Sequence, residues 1–307
     1  MIKIIGKTNI DFIGKRKITL VVSSVLVLLG LFSIVQMVRG EGNLAIEFSG
    51  GTMIQGAFES AVSIGNIRNI LANGGFPDAE IKTLETRSTP NSYMIRVKED
   101  STGQKLAAQK LETLLQEKMP DNLFLVDSMH EVSPSVGALL QKQALKAVFI
   151  AMACILLYIW LRFDFRSGVA ATIATFHDVL AVFGLLYLAQ VEVSILVITG
   201  LLTLAGYSLT DTVVVFDRIR ENLKQFRKRS DFGSTINKSI NEVLSRTIVT
   251  TVTTQLVVLS LLFFGGEVIF DFALTLAIGF VIGTYSSWFV ASPIVVEWEE
   301  RRPSRFK

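Results

Sequence analysis

Apolar and polar residues alternate along this chain on two scales. On the larger scale, apolar runs appear near residues 18–38, 144–161, 168–188, 193–216, 247–264 and 272–296. A bilayer core of about 30 Å takes roughly 20 helical residues to cross, so each run predicts a transmembrane helix. On the smaller scale, residues 39–142 switch between period 2 and period 3.6, which predicts a folded α/β domain inserted after the first span. Asn43–Phe58 reads as a strand pair or one strand bent at Gly50-Gly51, and Val62–Ala72 as a helix ended by Asn73-Gly74-Gly75. Glu80–Glu85 and Tyr93–Val97 read as strands around the turn Ser88-Thr89-Pro90-Asn91. Thr102–Lys118 reads as an amphipathic helix stopped at Pro120, and Leu123–Ser128 as the last strand. The order βαββαβ is that of the split-βαβ, ferredoxin-like arrangement.

Composition agrees with lipid contact. Half of the 307 residues are hydrophobic and the mean hydropathy is +0.49, more than a soluble core of this size uses. The single cysteine, Cys154, falls inside an apolar run, so the inserted domain has no internal disulfide. The two histidines, His130 and His177, stand in no metal-ligand spacing, so neither a metal nor a cofactor is expected. The first apolar run follows Lys15-Arg16-Lys17 as a signal peptide would. It is too long for a signal h-region and no small-residue cleavage site follows, which predicts a retained anchor.

Basic residues give an orientation, because positively charged short loops resist translocation. Lys3, Lys7, Lys15, Arg16 and Lys17 precede the first span, and Arg162 and Arg166 follow the second. Arg218, Lys224, Arg227, Lys228 and Arg229 follow the fourth, and Arg301, Arg302, Arg305 and Lys307 end the chain. The short loops on the other side, Gln190–Val193 and Gly265–Asp271, hold no Lys or Arg. The expected layout is a cytoplasmic N-terminus at 1–17, a first helix at 18–38, an extracytoplasmic domain and junction at 39–142, and a five-helix bundle at 143–307. That bundle includes a basic cytoplasmic loop at 217–245 and a cytoplasmic C-terminus. The basic loop serves equally as a topogenic signal or as a surface for anionic lipid or a protein partner.

Ionisable residues inside spans cost about 2.5–3.5 kcal/mol near the bilayer centre, so each needs a reason. His177 and Asp178 lie in the third run, Asp211 in the fourth, and Arg246 where the fifth begins. Tyr207, Ser208 and Thr203 share a helical face with Asp211, while Thr250 and Thr253 follow Arg246 at i+4 and i+7. Two readings stand for each set. Asp211 and Arg246 either anchor helix ends at the interface or face each other across a polar seam, and His177 and Asp178 either fix packing or take part in chemistry. Gly279, Gly283, Ser287 and Ala291 form a small-residue stripe in the last span, expected to let a neighbouring helix approach closely. An aspartyl protease using Asp178 and Asp211 lacks the GxGD-type sequence, and a neighbouring arginine disfavours a carboxylate pair that shares a proton.

Four segments together resemble one family. Gly206-Tyr207-Ser208-Leu209-Thr210-Asp211 through Phe216-Asp217-Arg218-Ile219-Arg220-Glu221 is similar to the fourth-span signature of the SecD/SecF family. So are Ile240-Asn241 through Leu244-Ser245-Arg246-Thr247, Phe176-His177-Asp178, and Gly283-Thr284-Tyr285-Ser286-Ser287, in the same order along the chain. Glu47-Phe48-Ser49-Gly50-Gly51 follows the first span, with Glu47 and Ser49 where the family usually has aspartate and threonine. Ser133-Pro134 replaces a Gly-Pro. The resemblance implies half of a resistance-nodulation-division-type transporter, a non-enzymatic subunit paired with SecD at the SecYEG channel, with YajC and YidC as further partners and no nucleic acid. It implies use of the proton-motive force to help a preprotein leave the channel after the ATPase SecA has pushed it in. It also implies a proton pathway through Asp211 and Arg246, to which His177 and Asp178 are added here, lined by Tyr207, Ser208, Thr250 and Thr253. A half-transporter for lipids or drugs is the alternative that hydropathy alone permits.

Overall fold

The computed structural model describes residues 6, 8–77, 79–84, 91–97, 107–225 and 232–302. The turn expected at Ser88-Thr89-Pro90 and the start of the helix expected from Thr102 lie outside them, as do Lys3, Lys7, Arg227, Lys228, Arg229, Arg305 and Lys307. The chain divides into two compact units, Leu44–Lys146 and the remainder, Met1–Asn43 with Ala147–Lys307.

The smaller unit is an antiparallel four-stranded sheet in the order β2-β3-β1-β4. Its strands are β1 (Gly51–Phe58), β2 (Glu80–Thr83), β3 (Ser92–Val97) and β4 (Phe124–Val132). Two helices, α3 (Ile64–Asn73) and α4 (Ala107–Lys118), supply the crossovers that make this the split-βαβ topology. Alternation works as it should: Ile54, Phe58, Ile95 and Phe124 point inward and meet Ile67 and Leu71 of α3 and Leu111 and Leu115 of α4. Ser63 caps α3 by accepting a hydrogen bond from the Asn66 N–H. β1 slips register against β4 between Gln55 and Gly56, where a Cβ on Gly56 would lie 2.3 Å from the Leu125 carbonyl oxygen.

One element differs from the expectation of a strand. Residues Ile46–Ser49 form a single helical turn, α2, closed by Phe48 and Ser49 N–H groups on the Ala45 carbonyl. The apolar spacing of Ala45, Ile46 and Phe48 suits a buried turn as well as a strand. Gly50 (φ 73°) and Gly51 (φ 128°) then redirect the backbone into β1 through a region that favours glycine. Arg96, 3% exposed, holds the turn by donating to the Leu44 carbonyl and to Ser49 Oγ.

The larger unit holds six helices long and apolar enough to span a membrane. They are α1 (Arg16–Val38), α5 (Pro134–Arg162), α6 (Phe165–Leu188), α7 (Ile195–Gln225), α8 (Phe232–Phe264) and a composite last span. The last is α9 (Glu267–Ser286), a π-helical turn (Ser287–Ala291) and α10 (Ser292–Arg301). Helix α5, which enters from the smaller unit, starts ten residues before the apolar run at 144 because Pro134 suits a first helical position. Helices α6, α7 and the last span form the centre, buried along 44–56% of their apolar windows against 6–17% for α1, α5 and α8. Where α1 crosses α6 there is no room for side chains: a Cβ on Gly30 would lie 2.2 Å from the Leu180 carbonyl oxygen. A Cβ on Gly184 would lie 2.7 Å from Gly30 N.

At the end of the bundle that holds both termini, charged and amide side chains replace apolar packing. Arg16 pairs with Glu300, Arg162 with Asp217, Arg166 with Glu299, and Arg218 with Glu242. Asn241 exchanges two 2.9 Å hydrogen bonds with the backbone of Ile10, and Asn237 accepts from the Phe12 N–H at 2.8 Å. The Phe12 ring, 2% exposed, packs on Trp288 and Phe289 of the π-turn.

Candidate functional site: a polar cluster inside the helix bundle

The π-turn has a local cause. In a continuous α-helix, the Pro293 ring would press on the Phe289 carbonyl and supply no N–H to it. Widening the turn relieves the clash and frees carbonyls that side chains then meet. Ser292 Oγ donates to the Ser287 carbonyl at 2.9 Å, and Thr19 Oγ1 of α1 reaches the Phe289 carbonyl at 3.4 Å. The wide turn begins at Ser287, inside the polar run Thr284-Tyr285-Ser286-Ser287.

That run faces Asp178 and Asp211. Asp178 on α6 is fully buried, its carboxylate 2.8 Å from Nδ1 of His177 and accepting hydrogen bonds from Ser208 Oγ of α7 and, at 2.7 Å, from Ser286 Oγ. Asp211 on α7 accepts from Ser287 Oγ at 2.7 Å, with Thr247 of α8 buried beside it. A second layer joins Tyr207 Oη to Thr251 Oγ1 at 3.4 Å and Thr251 to Thr284 at 2.8 Å. On its α1 side, Tyr285 Oη donates to the Thr19 carbonyl at 3.0 Å and lies 3.2 Å from Ser23 Oγ. Glycines permit the approach: a Cβ on Gly283 would lie 3.0 Å from Ser208 Cβ, and one on Gly279 would lie 2.9 Å from the Leu204 side chain.

Depth follows from length. About 20 residues counted from Ile195 along α7 end near Val214, and about 20 counted back from Phe264 along α8 end near Ser245. Asp211 therefore lies about one turn inside that end of the bundle and Arg246 at its edge, while Asp178 lies near mid-depth of α6. They are not in contact, however. No ion pair joins Asp211 and Arg246, and Arg246 is exposed on α8 in one stripe with Thr250 and Thr253. Thr250 bonds back to the Arg246 carbonyl and Thr253 to the Val249 carbonyl, so neither hydroxyl lines the cluster. The inward face of α8 is the adjacent stripe of Thr247 and Thr251.

The structure thus gathers His177, Asp178 and Ser208, brings Asp211 to Ser287 and Tyr207 to Thr251, and leaves Arg246, Thr250 and Thr253 outward. Ser287 does more than pack, since its hydroxyl bonds a carboxylate. Ser286 and Thr284 are members to which sequence reasoning gave no role, while Thr251, with Thr247, was read only as one of the hydroxyls alongside the Arg246 stripe. The signal for Ser286 and Thr284 was there in consecutive hydroxyl residues six to nine positions before a proline within an apolar run. Among the described residues no three His, Cys, Asp or Glu side chains come together in a way that could hold a metal ion.

Comparison with known proteins places this cluster in a family. Residues 110–301 match the family described as protein export membrane protein SecD/SecF, C-terminal. The chain belongs to the SecD/SecF family. It is 46% identical over 297 residues to the protein translocase subunit SecF of Thermodesulfovibrio yellowstonii, covering 96% of this chain and 97% of that one. It is also 38% identical over 266 residues to the protein translocase subunit SecDF of Thermus thermophilus, covering 86% of this chain and 35% of that longer one. Among solved structures, the crystal structure of SecDF, a translocon-associated membrane protein from Thermus, superposes with a TM-score of 0.83 at 35% identity. That match covers 96% of this chain and 39% of the SecDF chain, so this chain spans about two fifths of SecDF. SecDF in its super-membrane-facing form superposes at 0.68. The six helices and the sheet unit are therefore the family's architecture, and the chain is a multi-pass membrane protein.

Proposed function

We propose that this chain is a non-enzymatic subunit of a bacterial Sec preprotein translocase in the inner membrane, and that with a SecD partner it uses the proton-motive force to promote protein export. The observation that carries the proton reading is the pair of aspartates inside the bundle, held by serine hydroxyls on a π-turn. A buried carboxylate is costly enough to need a reason, and proton relays are among the functions that intramembrane carboxylates serve. Neutral hydroxyl donors suit a group that alternates between charged and protonated forms, whereas a permanent ion pair would hold it charged. A proton crossing the membrane releases about 2.3 kcal/mol per 100 mV, enough to bias two bundle packings that differ by a few kcal/mol.

The outward stripe of Arg246, Thr250 and Thr253 supports a partner. Arginine in a span is rarely left to lipid, so a second six-helix unit covering α8 would shield it and bring its guanidinium near the level of Asp211. A single SecDF chain in Thermus thermophilus joins the corresponding unit to a longer protein, which favours SecD as the covering unit here. In this reading both termini are cytoplasmic, as the basic segments require, and residues 39–142 face the other side, where the sheet unit meets the emerging preprotein beyond SecYEG. YajC and YidC belong to the same proposal.

The test uses inverted membrane vesicles carrying the chain with its SecD partner. Asp211→Asn should insert at normal abundance and keep ATP-driven translocation but lose stimulation by a proton gradient, and Arg246→Met should do the same. Full stimulation in Asp211→Asn vesicles would refute the proton reading at this residue.

A further inference from the structure

The two serines that begin the π-turn region share an unusual geometry. Ser287 Oγ lies 2.7 Å from Asp211 Oδ2 and 2.9 Å from the Thr284 carbonyl oxygen. Ser286 Oγ repeats it, 2.7 Å from Asp178 Oδ2 and 3.0 Å from the Gly283 carbonyl oxygen. A hydroxyl has one proton and two lone pairs, so it can donate to only one of its two acceptors at a time. Each serine is thus built with a choice, and the choice is set by its carboxylate.

We propose that Ser287 is a positioning residue for the proton cycle of Asp211, an inference that rests on the proton reading above. With Asp211 charged, the Ser287 hydroxyl donates to the carboxylate. With Asp211 protonated, the acid O–H donates to Ser287 Oγ, and the serine proton turns to the Thr284 carbonyl. The proton gained forms one O–H bond on the Asp211 carboxylate and leaves from the same oxygen, no other covalent bond is made or broken, and the Ser287 hydroxyl only rotates. Both forms of the acid are satisfied with the heavy atoms in place, so loading and unloading a proton leaves no buried polar group unbonded at this position.

The placement at the π-turn makes this possible. The Ser287 carbonyl is met by Ser292 Oγ, and the side chain sits fully buried against α7. The titratable groups on or beside the polar cluster are His177 and Asp178 on α6, Tyr285 on α9, Tyr207 on α7 and, on the outer face of α8, Arg246. Ser286 and Ser287, adjacent in sequence, each meet a different carboxylate.

The experiment compares Ser287→Ala, Ser287→Thr and Asp211→Asn, each reconstituted with the SecD partner. Ser287→Thr keeps the hydroxyl and Ser287→Ala removes it with little change in volume. Export stimulation is measured against pH, together with the infrared carboxyl band assigned to protonated Asp211 by its absence in Asp211→Asn. Ser287→Ala should move the pH midpoint by about one unit, the difference between a hydrogen bond to a charged and to a neutral partner, and should shift the carboxyl band. Ser287→Thr should keep both. Thermal unfolding in detergent checks that all three fold; if Ser287→Ala does not, Ser287→Cys, a weaker donor, takes its place and should move the midpoint and the band away from wild type, and an unchanged midpoint and band would refute the role of Ser287. If Asp211→Asn abolishes stimulation while Ser287→Ala keeps the wild-type midpoint and band, the role of Ser287 is refuted and the proton reading stands. If Asp211→Asn keeps stimulation, the proton reading itself fails, and this inference fails with it.

Discussion

Gly30→Ala tests how closely α1 is fitted to α6. The new Cβ would lie 2.2 Å from the Leu180 carbonyl oxygen and 2.9 Å from Leu180 Cβ, where ordinary contact begins near 3.4 Å. The two helices must therefore part by about 1.2 Å at the crossing, because the obstacle is backbone and cannot rotate away. A gap of about 0.5–1 Å forfeits a quarter to a half of the dispersion energy of each atom pair, which puts the overpacking cost near the top of its usual range, about 3 kcal/mol. Alanine recovers about 1 kcal/mol of helix propensity over glycine, leaving a net loss of about 2 kcal/mol. Gly184→Ala should lose a similar amount, since its Cβ meets Gly30 N at 2.7 Å. The double variant should lose little more than either alone, because once the helices have parted both methyls fit. Gly206→Ala is the control: nothing lies within 4 Å of its Cβ, so it should gain up to about 1 kcal/mol. Unfolding of the detergent-purified protein by increasing sodium dodecyl sulfate, followed by tryptophan fluorescence, measures all four. A Gly30→Ala protein as stable as wild type, or a Gly206→Ala protein as damaged as Gly30→Ala, would show that this crossing is not set by glycine.

Residues 44–142 expressed alone should give a soluble monomer with mixed helix and strand circular dichroism, and Phe124→Ala should destabilise it by about 3–5 kcal/mol in urea. Arg96→Met in that fragment should cost about 3 kcal/mol, because the Leu44 carbonyl and Ser49 hydroxyl lose a charged donor. An unchanged urea midpoint would show that the α2 turn holds without it. Phe12→Ala and Asn241→Ala in the full chain should each speed hydrogen exchange at residues 8–14 while leaving α6 unchanged. Equal exchange in variant and wild type would mean that this segment is held by other contacts.

Much of this architecture is written in the period of the sequence, and what is not has an identifiable reason. Six spans and a βαββαβ unit follow from apolar runs and alternation, and the structure and the family both carry them. Helix ends were less legible, since α5 and α8 continue through polar residues where hydropathy stops but backbone hydrogen bonding does not. The α2 turn was read as strand because four residues fit either period, and the decision lies with Arg96, fifty residues away in sequence on β3. At the site, Asp178, Asp211, His177 and Ser208 stand out as polar groups in apolar runs. Which face of α8 turns inward does not, because Arg246-Thr247 and Thr250-Thr251 offer the same pattern on two adjacent stripes. Only packing against Tyr207 and Thr284 chooses Thr251.

The contact between the first residues and α8 has a consequence for the order in which the molecule is made. Ile10 meets Asn241 across 231 positions of chain, and Phe12 rests on Trp288 and Phe289 further still. At a synthesis rate of about 5–20 residues per second, roughly 10–50 s pass between the appearance of Ile10 and that of its partner. During that interval the start of the chain has nowhere to dock, whatever the first span has already done. Its protection from protease would therefore mark a completed bundle: nascent chains halted before α8 should be trimmed at residues 8–14, and chains released after Trp288 should not. Residues 8–14, made long before α8, are in this fold among the last to find their place.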